Sequence, residues 1–210
     1  MYLVKYDKNQ SNMVDLDVKR CRGLIFSLDN QVLSIPPSKS IPFQSFVNNA
    51  TDFESIRFEE FIDGTMVQMF HFNDKWNIAT RSSIGANCRW YSNKKFSELF
   101  NESGKKLDMD KLETNTCYTF VLKHSENRIV KQYEDCSIVL VKATRITDDK
   151  IEDLKLDTLN IGVETPKVFN FSNMDEAIEA CSGFNFDEQG LVLKYEKDGQ
   201  EIRSKLRNPK

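Results

Sequence analysis

Along much of the chain, apolar and polar residues alternate with the two-residue period of half-buried strands. Residues 24–29 (LIFSLD) and 31–35 (QVLSI) lie on either side of an Asp29-Asn30 turn and predict a hairpin. Residues 66–72 (MVQMFHF) and 75–81 (KWNIATR), joined by Asn73-Asp74, predict a second. Residues 191–197 (LVLKYEK) and 200–206 (QEIRSKL) predict a third around Asp198-Gly199, a strong two-residue hairpin signal because both positions tolerate positive φ. Residues 117–124 (CYTFVLKH) and 137–146 (SIVLVKATRI) predict two longer strands. Helical spacing is confined to residues 94–103 (KKFSELFNES) and 173–181 (NMDEAIEAC), with Ser172 or Asn173 as N-cap of the second. Strands with interspersed helices, and no regular βαβ alternation, predict an α+β domain of antiparallel sheets with flanking helices. A connector runs from Pro36-Pro37 to Pro42. With no repeat and no Gly/Ser linker, residues 1–210 read as one domain without a separate C-terminal domain.

Composition narrows the class. The chain has 210 residues, 40% hydrophobic and 29% charged, enough for one substantial core. No apolar run approaches membrane-span length, and the N-terminus lacks a signal-peptide pattern. Five scattered cysteines without a CxxC pair suit reduced thiols and a cytoplasmic location rather than a disulfide framework. Two histidines and no paired cysteines argue against structural zinc. A net charge of −3 argues against a protein that coats nucleic acid non-specifically. It leaves room for a local basic groove from Arg20, Arg22, Arg81, Arg89, Lys94 and Lys95.

Five short motifs, in order, carry the candidate chemistry. They are the stretch from Arg20 to Phe26 (RCRGLIF), the stretch from Arg57 to Thr65 (RFEEFIDGT), Ala79 to Ser83 (ATRSS), Tyr118 to Val130 ending in Asn127-Arg128-Ile129-Val130, and Glu188 to Val192 (EQGLV) followed by Arg203-Ser204-Lys205. As an ordered set they resemble the phage-type RNA ligase family, which groups with DNA ligases and mRNA capping enzymes among the covalent nucleotidyltransferases. The resemblance runs from about Arg20 to Lys210. It implies a nucleotidyltransferase domain with a nucleotide cleft between its sheets, using ATP and Mg²⁺ to activate a 5′-phosphate RNA end and join it to a 3′-hydroxyl. It assigns Arg22, Glu60, the position of Phe61, Asp63, Gly64, Arg81, Phe120 and Lys205 to the nucleotide. Arg203 and Lys205, on one face of their strand by spacing, match the element whose cations hold the triphosphate. The resemblance says nothing of oligomeric state, and no membrane partner is expected.

The departures from the family pattern fall on its chemistry. The family's nucleophile is a lysine in E-K-x-D-G-[ST], and this chain has Phe61 there. A nucleophile needs a lone pair on a deprotonated heteroatom, and a benzyl group has none. Val121 takes the place of one glutamate, and Gln189 takes the place of another, with Glu188 one residue out of register. Magnesium prefers oxygen ligands, carboxylates or phosphates, so the protein's hold on it should be weaker. Lys39 and Lys123 are substitute nucleophiles to test. Three readings follow: an RNA ligase-like enzyme, a catalytically impaired nucleotide- or RNA-end-binding module on the same fold, and a structural domain with an empty cleft.

Overall fold

The computed structural model describes residues 1–50, 52–90 and 92–210. In chain order the elements begin with β1 (Tyr2–Lys5), α1 (Leu16–Arg20), β2 (Arg22–Phe26), β3 (Val32–Ser34) and α2 (Phe43–Asn49). They continue with β4 (Arg57–Glu60), β5 (Thr65–Phe72), β6 (Lys75–Thr80), α3 (Phe96–Ser103), β7 (Thr116–Lys123) and β8 (Ser137–Ile146). The last are β9 (Ile151–Asp153), β10 (Val168–Phe169), α4 (Met174–Gly183), β11 (Gly190–Lys197) and β12 (Gln200–Arg207). The chain divides into two compact units, Met1–Pro37 with Gly64–Thr165, and Ser38–Asp63 with Pro166–Lys210.

The first unit holds a three-stranded sheet, β1-β2-β3, and a five-stranded sheet, β6-β5-β7-β8-β9, each antiparallel throughout its ladders. Asn73 and Asp74 take positive φ between β5 and β6, as an I′-type hairpin turn requires. The central strand β7 is covered on both sides, which explains its unbroken apolar run. Tyr118, Phe120 and Leu122 pack into a core with Phe96, Leu99 and Phe100 of α3, whereas Cys117 faces a smaller core with Ile25, Phe70 and Ala79. Burying a large apolar side chain in such a core stabilises the fold by about 1.5–3 kcal/mol. The three-stranded sheet is fixed to β5 by one buried amide. Gln68 accepts from the Ser34 hydroxyl at 2.8 Å and donates to the Gly23 carbonyl at 2.9 Å.

The second unit is a four-stranded antiparallel sheet, β10-β4-β11-β12, with α2 and α4 against it. Phe58, Leu191, Leu193 and Tyr195 face a core completed by Phe46 of α2 and by Ala177 and Cys181 of α4. The Asn173 side chain caps α4 by accepting the Glu176 N–H at 2.9 Å. By strand alternation the opposite face carries Arg57 and Glu59 of β4, Val192, Lys194 and Glu196 of β11, and Glu201, Arg203, Lys205 and Arg207 of β12. One face is thus apolar and the other charged. α2, which follows the proline connector, and β4, whose sequence reads as a motif, are elements that hydrophobic periodicity does not reveal.

Candidate functional site

Within the first unit, two close backbone approaches position the family-like residues. Gly23 has φ of +100°, and a Cβ there would lie 2.9 Å from backbone atoms of Arg81. A side chain at residue 23 would therefore push apart Arg22, at the start of β2, and Arg81, exposed just after β6. Gly64 has φ of +147°, and a Cβ there would lie 2.3 Å from the Leu122 carbonyl oxygen and 2.8 Å from Val121 Cγ1. The Asp-Gly step is thus a contact requirement of β5 against β7 as well as a motif. Thr65, the next residue, accepts a hydrogen bond from Asn127 Nδ2 at 2.9 Å. Asn127 is 1% exposed, and its Oδ1 is buried without a hydrogen-bond partner. Val121, 7% exposed, presents hydrocarbon where the resemblance implies a carboxylate.

Two expectations change here. Phe120 has 0% exposure and is a core residue stacked among Tyr118 and Phe100, so it has no surface to offer a nucleotide. Lys94, expected in a basic groove, is consumed internally. Its ammonium lies 2.9 Å from Glu102 Oε2 and 2.8 Å from Glu126 Oε1. Those two bonds push the Lys94 amine well above its ordinary value and hold both carboxyls below theirs. His124, 3% exposed, completes the network. Its Nδ1 accepts the Glu126 N–H at 3.1 Å, so the ring proton sits on Nε2 and is donated to Glu102 at 3.0 Å. Arg20 pairs with Asp17 at 3.1 Å, whereas Arg89 and Lys95 are each placed near α3 or the loop before it. Lys123 lies 3.9 Å from Glu164 and 5.6 Å from the Tyr133 ring centroid.

Within the second unit, Phe61 extends β4 by donating its N–H to the Gly190 carbonyl at 3.1 Å. Alternation places Glu60 on the face shared with Phe58, away from Phe61. The Phe61 ring meets the charged face. Lys205 Nζ sits 3.8 Å above its centroid, and the Arg207 guanidinium carbon lies 5.6 Å from it. A cation over an aromatic face gains about 0.5–2 kcal/mol, more as water is excluded. Arg203, expected as a phosphate-holding cation, is 7% exposed, and its Nε has no hydrogen-bond partner. Burial lowers its guanidinium below the ordinary arginine value, with Glu201 and Glu59 offsetting part of the effect. Glu59 already serves two other cations, Lys194 at 2.7 Å and Arg57 at 2.8 Å, the latter an ion contact without hydrogen-bond alignment.

The carboxylate positions in this unit are also settled locally. Gln189 Nε2 donates to Asp63 Oδ1 at 2.9 Å. Asp63 is 6% exposed, so the bond satisfies a buried carboxylate oxygen. Glu188 accepts the Asn185 N–H at 2.8 Å and closes a turn. Lys39 lies in the connector, partly buried. Sequence reasoning did not find the Arg207 and Phe61 contacts, the Gln189–Asp63 bond or the His124 network. The i, i+2, i+4 spacing of Arg203, Lys205 and Arg207 was the available signal for the third cation. Among the described residues, no helix is long and apolar enough to cross a membrane.

No protein-family model matches the chain. In sequence it is similar to a protein assigned as a bifunctional polynucleotide kinase/RNA ligase of Autographa californica nuclear polyhedrosis virus, with 24% identity over 208 residues, 88% of this chain and 29% of that one. It is also similar to an RNA ligase of Rhodothermus phage RM378, with 30% identity over 103 residues, 43% of this chain and 23% of that one. The chain therefore spans less than a third of the length of these curated relatives. Among solved structures it resembles an assigned ATP-dependent DNA ligase from Aquifex aeolicus, with a TM-score of 0.58 and 13% identity over 82% of this chain and 49% of that one. A Naegleria gruberi RNA ligase variant solved with ATP and manganese gives a TM-score of 0.51 and 11% identity, over 71% of this chain and 49% of that one. At such identities the structural likeness shows the fold. The chain is thus RNA ligase-like: similar in sequence to viral and phage RNA ligases, and in fold to ATP-dependent ligases.

Proposed function

We propose that this chain binds a nucleotide and phosphorylated RNA ends without forming a covalent nucleotide intermediate at residue 61. The observation that carries the reading is the ammonium of Lys205 held 3.8 Å over the Phe61 ring. A ring face favours the charged ammonium over the neutral amine, so the pair suits binding an anion and not attacking phosphorus. The ligand class comes from the relatives, which are RNA ligases by name, and from the neighbour solved with ATP and manganese. Magnesium enters, on this reading, as the ion accompanying the phosphates of ATP. ATP-dependent end joining of RNA is the alternative, and it requires a nucleophile other than Phe61.

The test is intact-protein mass spectrometry after incubation with ATP and Mg²⁺, with a parallel binding titration. No mass gain together with measurable ATP binding is the expected result. A gain of one AMP on the unaltered chain overturns the proposal, and peptide mapping then names the nucleophile, with Lys39, Lys123 and Lys205 to be checked. A gain only in Phe61→Lys shows that ATP is still placed for in-line attack and that residue 61 alone stops it.

A further inference from the structure

The second unit turns one aromatic ring out to solvent. Of the chain's fifteen phenylalanines, Phe186 is the exposed one, at 79%, whereas the other fourteen are buried or half-buried. It stands in the stretch Phe184-Asn185-Phe186, between α4 and β11. Phe184 turns inward, its ring centroid 6.0 Å from that of Phe169. Two phenylalanines two positions apart thus meet opposite surroundings, and hydrophobicity alone does not place Phe186 outside.

The loop that carries Phe186 is fastened on both sides of it. The Asn185 N–H is donated to Glu188 Oε2 at 2.8 Å, and the Glu188 N–H to the Asn185 carbonyl at 3.0 Å, which closes a turn around Phe186. Asn208 clamps that turn. Its Nδ2 donates to the Asn185 carbonyl at 2.7 Å and the Glu188 carbonyl at 2.9 Å, and its backbone N–H donates to the Gln189 carbonyl at 3.1 Å. Lys210 Nζ donates to the Phe184 carbonyl at 2.8 Å. A ring held out by a fixed backbone has little freedom left to lose when a ligand arrives, which makes it an effective contact.

The surroundings of the ring select the kind of ligand. A protein anchor sits among near-neutral contacts that exclude water around it. The exposed residues nearest Phe186 in the chain are instead Ser182, Gly183, Asn185 and Glu188, with no apolar side chain among them. An unpaired nucleobase needs only one free ring face, because every base has a π-face to stack on it. Positive charge suited to the adjoining phosphates is present too. Arg207 is exposed, immediately precedes the Asn208 clamp, and pairs in register with Gly190 at the end of the loop. Of the two acidic neighbours, Asp187 is half-buried and Glu188 turns its carboxylate onto the Asn185 N–H.

We propose that Phe186 is a stacking platform for an unpaired base of single-stranded RNA. The inference rests on the RNA-end reading above and adds to it a contact that tells a polynucleotide from a mononucleotide. Phe186 lies outside all five motifs that carry the family resemblance.

The experiment is fluorescence anisotropy of the full chain with a 5′-phosphorylated, 3′-labelled oligoadenylate of about twelve nucleotides, and with the same ribose-phosphate chain lacking its bases. Phe186→Ala should weaken oligoadenylate binding by about five- to a hundredfold, and Phe186→Trp should stay within about twofold of the native chain. Phe186→Leu, apolar but without a π-face, should fall with the alanine variant. On the base-free chain all four proteins should bind alike. ATP affinity by calorimetry should be the same in all four, which shows that each variant is folded. Three results overturn the inference and leave the RNA-end reading standing: oligoadenylate binding unchanged in Phe186→Ala, equal losses on the two chains, or full affinity in Phe186→Leu. Absence of oligoadenylate binding by the native chain, with ATP still bound, overturns both the inference and the RNA half of that reading.

Discussion

The chain holds two polar clusters of opposite character. In the first unit, Lys94, Glu102, His124 and Glu126 close on themselves, and both ring nitrogens of the buried histidine are engaged. In the second unit, Arg203, Lys205 and Arg207 share a face on which Arg203 keeps a buried nitrogen unpaired and Lys205 rests on a hydrocarbon ring. The first looks more like a metal site by residue type, the second more like ordinary surface charge. Their hydrogen bonds reverse that ranking. A cluster whose groups satisfy one another has little bonding capacity left for a ligand, whereas one that leaves a buried donor unpaired keeps some.

The comparison breaks most visibly at His124. His124→Ala removes a buried ring and leaves the Glu126 N–H and the Glu102 carboxylate without it. It should cost about 2–4 kcal/mol in urea unfolding while leaving the affinity of folded protein for ATP unchanged. A normal urea midpoint would mean the network is not structural. Arg203→Met should do the reverse. Removing a buried charge that Glu201 and Glu59 only partly offset and whose Nε is unpaired should leave stability unchanged or raise it by up to about 1 kcal/mol, and it should weaken ATP binding about tenfold or more. If Arg203→Met destabilises as strongly as His124→Ala, the second cluster is as closed as the first.

The smallest effect expected is in the pH dependence. Glu102 and Glu126 are held below their ordinary value mainly by Lys94. A carboxyl whose folded value is depressed adds stability above its unfolded value, about pH 4.3, and loses it as the pH falls through the folded value. Melting temperatures measured from pH 7 down to pH 3 should therefore fall below about pH 5, and less steeply in Lys94→Met than in the native chain. Parallel curves would show that these exposed bonds add nothing, as is common for surface ion pairs.

The hairpins and long strands were legible because their signals are local. β8 occupies residues 137–146 as the pattern predicts, and the Asp198-Gly199 turn has both residues at positive φ. α2 and β4 were not legible. α2 lacks a capping side chain, and four residues of β4 are too few to show a period beside a motif. Of the site, motif order singles out Gly64, Asp63, Lys205 and Arg203 as candidates, but Phe120, assigned to the nucleotide, belongs to the core. A motif marks a neighbourhood, and in a strand only every second residue can face the ligand.

By itself, the sequence determined that residue 61 cannot be the nucleophile and that Val121 is no metal ligand, because those conclusions depend only on which atoms a side chain carries. It also determined the hairpins, through turn residues and alternation a few positions apart. Only the tertiary structure decided that Lys205 rests on Phe61, that Gln189 bonds Asp63, and that Lys94 is spent inside a closed network. These contacts join residues from distant parts of the chain through sheet register and burial, and no local spacing records which partner a side chain finds there.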